Sequence, residues 1–360
     1  MRNSFVALAL AASACTPSYS GMPPIAFSDV EYSGPGGEAW PARNIPVPKA
    51  AQKFALGSIP EVHVVELNRG AADTLVFVHG LGSNLKFWRY QLSEFAKTHH
   101  VVALDMLGYG KSSKPARFPY TMPAMSHVVR EVLENLDVKR PVIVGHSMGG
   151  QTTLSLLIED TEFARGAVLV SPAGFEKFSP KDRLWLTRVF STDLVNYADE
   201  SGIGVSIRYN NFANWKPDYE WLIEERVRLA RAPDFDDYSY ANVKSIQGLL
   251  ETEYTRENLH RIKTPTLIVF GDMDRLIPNR FLHPGHTRDV MVYGAQGIKG
   301  SDLQGLPHCG HTVQMDCAEE LNTLIRGFLK GLPKETSRAP VEAAPEKEAQ
   351  PETVDQEGPT

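Results

Sequence analysis

The fold class this sequence predicts is α/β, and three observations carry it. Short β-branched apolar runs at 74–78, 101–104, 142–144, 167–170 and 266–270 have the length and composition of buried strands. Helically spaced apolar residues lie among them, as in Val129, Val132, Leu133 and Leu136 of the stretch 126–136. The third is a strand, a tight turn and a helix in succession: Val142-Ile143-Val144, then Gly145-His146-Ser147-Met148-Gly149, then a segment with Leu154, Leu157 and Ile158 in helical register.

At 360 residues and 42% hydrophobic, the chain can bury a full core and slightly exceeds the common single-domain size. One large domain with appendages follows. The net charge is −6 and no Lys/Arg cluster stands out, which argues against a nucleic-acid partner. Residues 334–360 hold three basic and seven acidic residues, so the part before them is nearly neutral. The stretch 333–360, rich in Glu, Pro and Ala, is too poor in apolar residues to fold and is expected to be a disordered acidic tail.

At the other end, residues 1–14 carry one early cation, Arg2, and an apolar run from Phe5 to Ala12 that is too short to span a bilayer. This reads as an export signal. The ending Ala12-Ser13-Ala14-Cys15 resembles a bacterial lipobox, with Ala12 where that pattern prefers Leu. Cys15 is therefore the lipidation candidate, and a lipid anchor in the cell envelope is expected, with plain secretion as the alternative. Residues 15–50, rich in Pro, Gly and Ser, read as an extended tether.

The remaining elements follow in order. Residues 54–67 read as early antiparallel strands, and the run 74–78 leads into His79-Gly80-Leu81-Gly82, where glycines let backbone N–H groups approach a ligand. The strand 101–104 ends in Asp105-Met-Leu-Gly108-Tyr-Gly110-Lys-Ser112, which is not a phosphate loop because Asp105 stands where that loop needs Gly. After the strand 167–170 comes an aromatic-rich stretch, 172–262, with helical pieces, long enough to have a function of its own. The strand 266–270 runs into Gly271-Asp272-Met273-Asp274-Arg275-Leu276-Ile277-Pro278. A short strand at 303–306 leads to Pro307-His308-Cys309-Gly310-His311, and 312–332 reads as a closing helix.

Three motifs, each after its own predicted strand, resemble those of the α/β-hydrolase family over residues 54–332: Gly145-x-Ser147-x-Gly149, Gly271-x-x-Asp274-x-x-x-Pro278 and Gly310-His311. The resemblance implies a mostly parallel central sheet flanked by helices, a core of 51–171 and 263–332, and a helical cap at 172–262 after the sixth strand. It makes Ser147 the nucleophile on its elbow (Gly145, His146, Gly149), His311 the base and Asp274 the orienting carboxylate, with Asp272 in reserve. It makes the N–H groups of Leu81 and Met148 the oxyanion donors, with His79 and Gly80 shaping their loop. The activity implied is hydrolysis of a carboxylic ester with an apolar acyl group, the partner being a small apolar ester or lipid, with no cofactor. A non-catalytic binding protein on the same scaffold and an acyltransferase are the alternatives.

Two lures are set aside. His308, Cys309, His311 and Cys317 lack the usual zinc spacing, so no metal site is read there. His283-Pro-Gly-His286 reads as a solvated loop. A Cys309–Cys317 disulfide is judged doubtful, since a helix is predicted between the two.

Overall fold

The computed structural model describes residues 18–333. The signal-like residues 1–14, Cys15 and all but the first residue of the acidic tail lie outside the described residues.

Eight strands form one sheet in the order β1-β2-β4-β3-β5-β6-β7-β8. They are β1 (Ala42–Pro46), β2 (Glu61–Leu67), β3 (Thr74–Val78), β4 (His100–Leu104), β5 (Val142–His146), β6 (Gly166–Val170), β7 (Thr266–Gly271) and β8 (Asp302–Leu306). The first three in spatial order pair antiparallel, and β4 through β8 are parallel. Every residue of β4, β5 and β6 is buried, as expected of central parallel strands covered on both faces. This explains their unbroken apolar runs.

Register decides where the chemistry sits. Val78 pairs with both Leu104 and Gly145, His146 with Val170, and Gly271 with Leu306, so the carboxyl ends of these strands lie along one edge. The loops after β3, β5, β7 and β8 therefore open on the same side of the sheet, where parallel α/β sheets hold their ligands. Helices Met122–Asn135, Met148–Glu159, Thr287–Gly297 and Ala318–Gly331 surround the sheet. Six α-helices between β6 and β7, from Pro180–Val189 to Glu253–Asn258, form the cap over that edge.

Three expectations need correction. Residues 18–50 are packed, not an extended tether: they supply β1 and helix Pro48–Lys53, and they bury Phe27, Val30, Tyr32 and Trp40 in the main core. Their apolar residues are scattered among prolines and glycines, with no period for a sequence reading to catch. The helix is held by Glu131, whose carboxylate accepts the N–H groups of Lys49 (2.7 Å) and Ala50 (2.8 Å). Residues 54–60 are not strand, and β2 begins at Glu61. The closing helix is interrupted: Val313–Asp316 ends at Cys317, whose φ of −134° and ψ of 52° are not helical, and Ala318–Gly331 starts anew.

Candidate active site

Ser147 stands between β5 and helix Met148–Glu159 with φ 51° and ψ −113°, a strained backbone for a residue with a side chain. Its neighbours hold it there. The Ser147 N–H donates to Val170 O (3.0 Å), and Ser147 O accepts from Gln151 N (3.1 Å) and Ala173 N (3.0 Å). The two flanking glycines are required by close approach: a Cβ on Gly145 would lie 2.5 Å from Gly149 O, and one on Gly149 would lie 2.2 Å from Val78 O. Any larger residue at 149 would push the elbow off the end of β3.

The loop after β3 passes directly against the serine, since a Cβ on Gly80 would lie 3.2 Å from Ser147 Cβ. His79 sets the orientation of this loop. Its Nε2 accepts the N–H of Met106 (3.0 Å), so the proton is on Nδ1, which donates to Gly80 O (2.7 Å). Ser83 Oγ donates to the same carbonyl at 3.0 Å. In a trans peptide the carbonyl and the following N–H point opposite ways, so anchoring Gly80 O aims the Leu81 N–H in the other direction. Among the described residues that N–H has no protein acceptor, and the Met148 N–H, at the first position of its helix, has no intrahelical one. Burial pushes His79 down to about 4, which keeps the ring neutral, as this two-sided bonding requires.

The loops after β7 and β8 bring Asp274 and His311 together. His311 Nδ1 donates to Asp274 Oδ2 at 2.7 Å, and both side chains are buried. Asp274 Oδ1 accepts from Leu276 N (2.7 Å) and Ile277 N (3.1 Å), which fixes the carboxylate plane. With its proton on Nδ1, a neutral His311 ring has Nε2 as its acceptor. Asp272, the reserve candidate, pairs instead with Arg288 (2.9 Å) and does not reach His311.

His146 has a role the sequence did not reveal. Its Nε2 donates to the backbone oxygen of His311 (3.1 Å), and the two rings lie 4.9 Å apart. The residue before the serine thus positions the backbone of the histidine. Burial, reinforced by the nearby His311, holds the His146 ring well below the ordinary imidazole range.

Cys309 and Cys317 form a disulfide with Cα atoms 6.0 Å apart, which corrects the doubt raised by the sequence. The break at Cys317 is what makes the geometry possible. The bond closes a loop that contains Gly310 and His311. His308 lies close to both sulfurs, but sulfurs bonded to each other are not thiolates and cannot serve as metal ligands. Inside this loop, the Asp316 carboxylate accepts Gly310 N (2.6 Å), Ala213 N (2.8 Å) and Asn214 N (2.9 Å), which ties the His311 loop to the cap.

Asp105 is a second hub. It accepts from Tyr32 Oη (2.6 Å), Leu85 N (2.8 Å) and Lys111 N (2.8 Å), joining the N-terminal segment to the loops after β3 and β4. Burial pushes its carboxyl up to about 6, although these bonds oppose the rise. His283 is not a solvated loop residue, since it bonds Glu176 at 2.5 Å beside Asp182.

Leu81, Ser147 and His311 line one cavity of about 970 Å³. Its far walls are the apolar side chains of the cap, among them Leu186, Ile203, Leu222, Leu229 and Phe235. Thus the serine, the paired imidazole and Leu81 border a mostly apolar chamber.

Comparison with known proteins agrees with this geometry. Residues 73–317 match the family described as alpha/beta hydrolase fold. An uncharacterized hydrolase, YugF, from Bacillus subtilis strain 168 is 27% identical over 260 residues, covering 72% of this chain and 90% of its own length. The 2-hydroxymuconate semialdehyde hydrolase of Pseudomonas sp. strain CF600 is 27% identical over 271 residues, covering 72% and 88%. The crystal structure of a probable hydrolytic enzyme from Pseudomonas aeruginosa PAO1 superposes with a TM-score of 0.73 at 20% identity, a likeness of fold that covers 87% of this chain and 99% of that one. Sheet order, elbow and matched span together show that the chain belongs to the α/β-hydrolase fold family.

Proposed function

We propose that the chain is a serine hydrolase that cleaves carboxylic esters with an apolar acyl group. One observation carries the reading: a serine on a strained elbow and a buried His311–Asp274 pair border the same apolar cavity. In the reaction, His311 Nε2 takes the Ser147 hydroxyl proton as the oxygen attacks the ester carbonyl. The N–H groups of Leu81 and Met148 stabilise the resulting oxyanion, and the start of the Met148–Glu159 helix favours negative charge there. His311 then passes its proton to the departing alcohol, which leaves an acyl group on Ser147. Water, deprotonated by the same imidazole, releases the acid and restores the serine. Asp274 holds the ring in the required tautomer and stabilises the imidazolium.

The apolar chamber supports an acyl chain over a polar or charged one. Export and lipidation of Cys15 belong to the same proposal, and the Cys309–Cys317 bond supports an oxidising compartment.

The test is Ser147→Ala with p-nitrophenyl esters of graded acyl length. Hydrolysis should fall by about 10⁴-fold or more, with the melting temperature nearly unchanged, and a fluorophosphonate probe should label Ser147 in the wild type alone. Activity retained in the alanine variant, or a wild type that neither turns over esters nor takes the probe, overturns the proposal.

A further inference from the structure

Apolar exposure on this protein is concentrated in one place. Of twelve large hydrophobic side chains left exposed among the described residues, ten lie on the cap or on the loop after β7. Trp185, Leu194, Tyr209 and Phe281 also line the cavity, so the patch forms its rim. Phe281 is 89% exposed and Tyr197 83%, far more than a packed interior edge requires. Helix Pro180–Val189 adds Lys181 and Arg188, both exposed and without an ion pair among the described residues. Trp and Leu beside free cations is the composition of a helix that lies on an anionic lipid surface.

The N-terminal end of the described chain fixes which face a membrane would meet. Glu200, on cap helix Glu200–Val205, accepts the N–H groups of Tyr19 (2.8 Å) and Ser20 (2.9 Å) and the hydroxyl of Ser18 (3.3 Å). Tyr19 is buried against Ile203, Ile223 and Val227 of the cap. Gly202 and Ile203 on this helix line the cavity, and Val205 at its end is exposed. The apolar run of the signal-like segment ends at Ala12, six Cα steps before Ser18, which is about 20 Å at full extension. Cys15 is three steps away, about 10 Å. With residues 18–50 packed onto the domain, no spacer remains to let the body turn away from an anchor. A lipid on Cys15 would therefore hold a bilayer beside the cap.

We propose that the cap's apolar rim is a bilayer-docking surface, held down by the N-terminal lead, through which a membrane-partitioned lipid ester passes from the bilayer into the cavity. The docking stands on the rim and on the Ser18–Glu200 connection. The identity of the substrate rests on the esterase reading above.

The test uses the full chain on vesicles of equal parts phosphatidylcholine and phosphatidylglycerol, and a Leu184→Glu/Tyr197→Glu/Val205→Glu variant, whose three sites are exposed and lie off the cavity lining. Hydrogen exchange in the wild type should slow on vesicles at 180–209 and 273–281 and stay unchanged in helix Ala318–Gly331. The variant should lose that protection. Its hydrolysis of a monoacylglycerol in the vesicles should drop by about ten-fold, while its rate on water-soluble p-nitrophenyl acetate stays within about two-fold. Protection elsewhere or nowhere, or equal and measurable vesicle rates in both proteins, overturns the proposal. Cap protection in a protein that hydrolyses no ester would uphold docking and sink the esterase reading instead.

Discussion

His311 donates its Nδ1 proton to Asp274 at 2.7 Å, and the two residues come from loops at the ends of adjacent parallel strands. An amide at 274 has one acceptor oxygen in place of two and can turn its NH₂ toward the ring, which favours the wrong tautomer. Asp274→Asn should therefore lower kcat by about 10⁴-fold, measured on a p-nitrophenyl ester. Asp272→Asn, which loses only its pair with Arg288, should stay within about two-fold. Equal losses in the two variants would contradict the assignment.

Gly80 has no room for a side chain on the serine side. The Cβ of Gly80→Ala would sit 2.7 Å from His146 Nδ1 and 3.2 Å from Ser147 Cβ. The loop must move, and the Leu81 N–H moves with it. Steady-state kinetics should show kcat/KM down by about 10²-fold or more, while calorimetry shows a stability loss of only about 1–3 kcal/mol.

The disulfide encloses His311 in a closed loop with a sequence separation of 8. Chain-entropy arguments give such a crosslink about 2.5 kcal/mol. Cys309→Ala/Cys317→Ala should lower the melting temperature by about 4 °C and reduce activity, because the loop that carries the imidazole loses its clamp. Dithiothreitol should reproduce the effect in the wild type and leave the double variant unaffected.

The response to acid follows from two kinds of buried group. His79 is held down to about 4 by burial, and His146 well below the imidazole range, so between those values and 6.5 the unfolded chain binds protons that the native state refuses. Their contribution is full above pH 6.5 and is lost as pH falls, by about 3 kcal/mol for His79. Asp105 acts in the opposite sense: raised from 3.8 to about 6, it favours the native state at low pH and loses that contribution as pH rises, also about 3 kcal/mol. His79 and Asp105 nearly offset each other, and His146, together with His63, which burial also holds down to about 4, makes acid destabilising. Urea midpoints should fall from pH 6.5 to 4, and Asp105→Asn should steepen the fall. A flat profile in the variant would show that the histidines are not held neutral.

Much of this site was legible because its residues obey local rules. A strand, a Gly-x-Ser-x-Gly turn and a helix specify a backbone that only a few side chains permit, and the contacts of Gly145 and Gly149 give the reason. Asp274 and His311 were readable from their motifs, each following a short strand, apolar and buried before Asp274 and more polar before His311. The rest depends on contacts between distant segments. His146 looks like any residue of the elbow until its ring is seen to hold the backbone of His311. The Cys309–Cys317 bond needs a helix break at Cys317 that no Gly or Pro announces. Tyr32 reaches Asp105 across 73 positions from a stretch that reads as a tether.

That last contact bears on cloning. The family match begins at residue 73, and a gene trimmed to it would delete β1 and β2, along with Phe27 under Tyr238 and Tyr32 on Asp105. The outer edge of β4 would then present bare amides and carbonyls to any other chain. Such a fragment would collect in inclusion bodies, whereas an open reading frame beginning at Ser18 retains every strand partner.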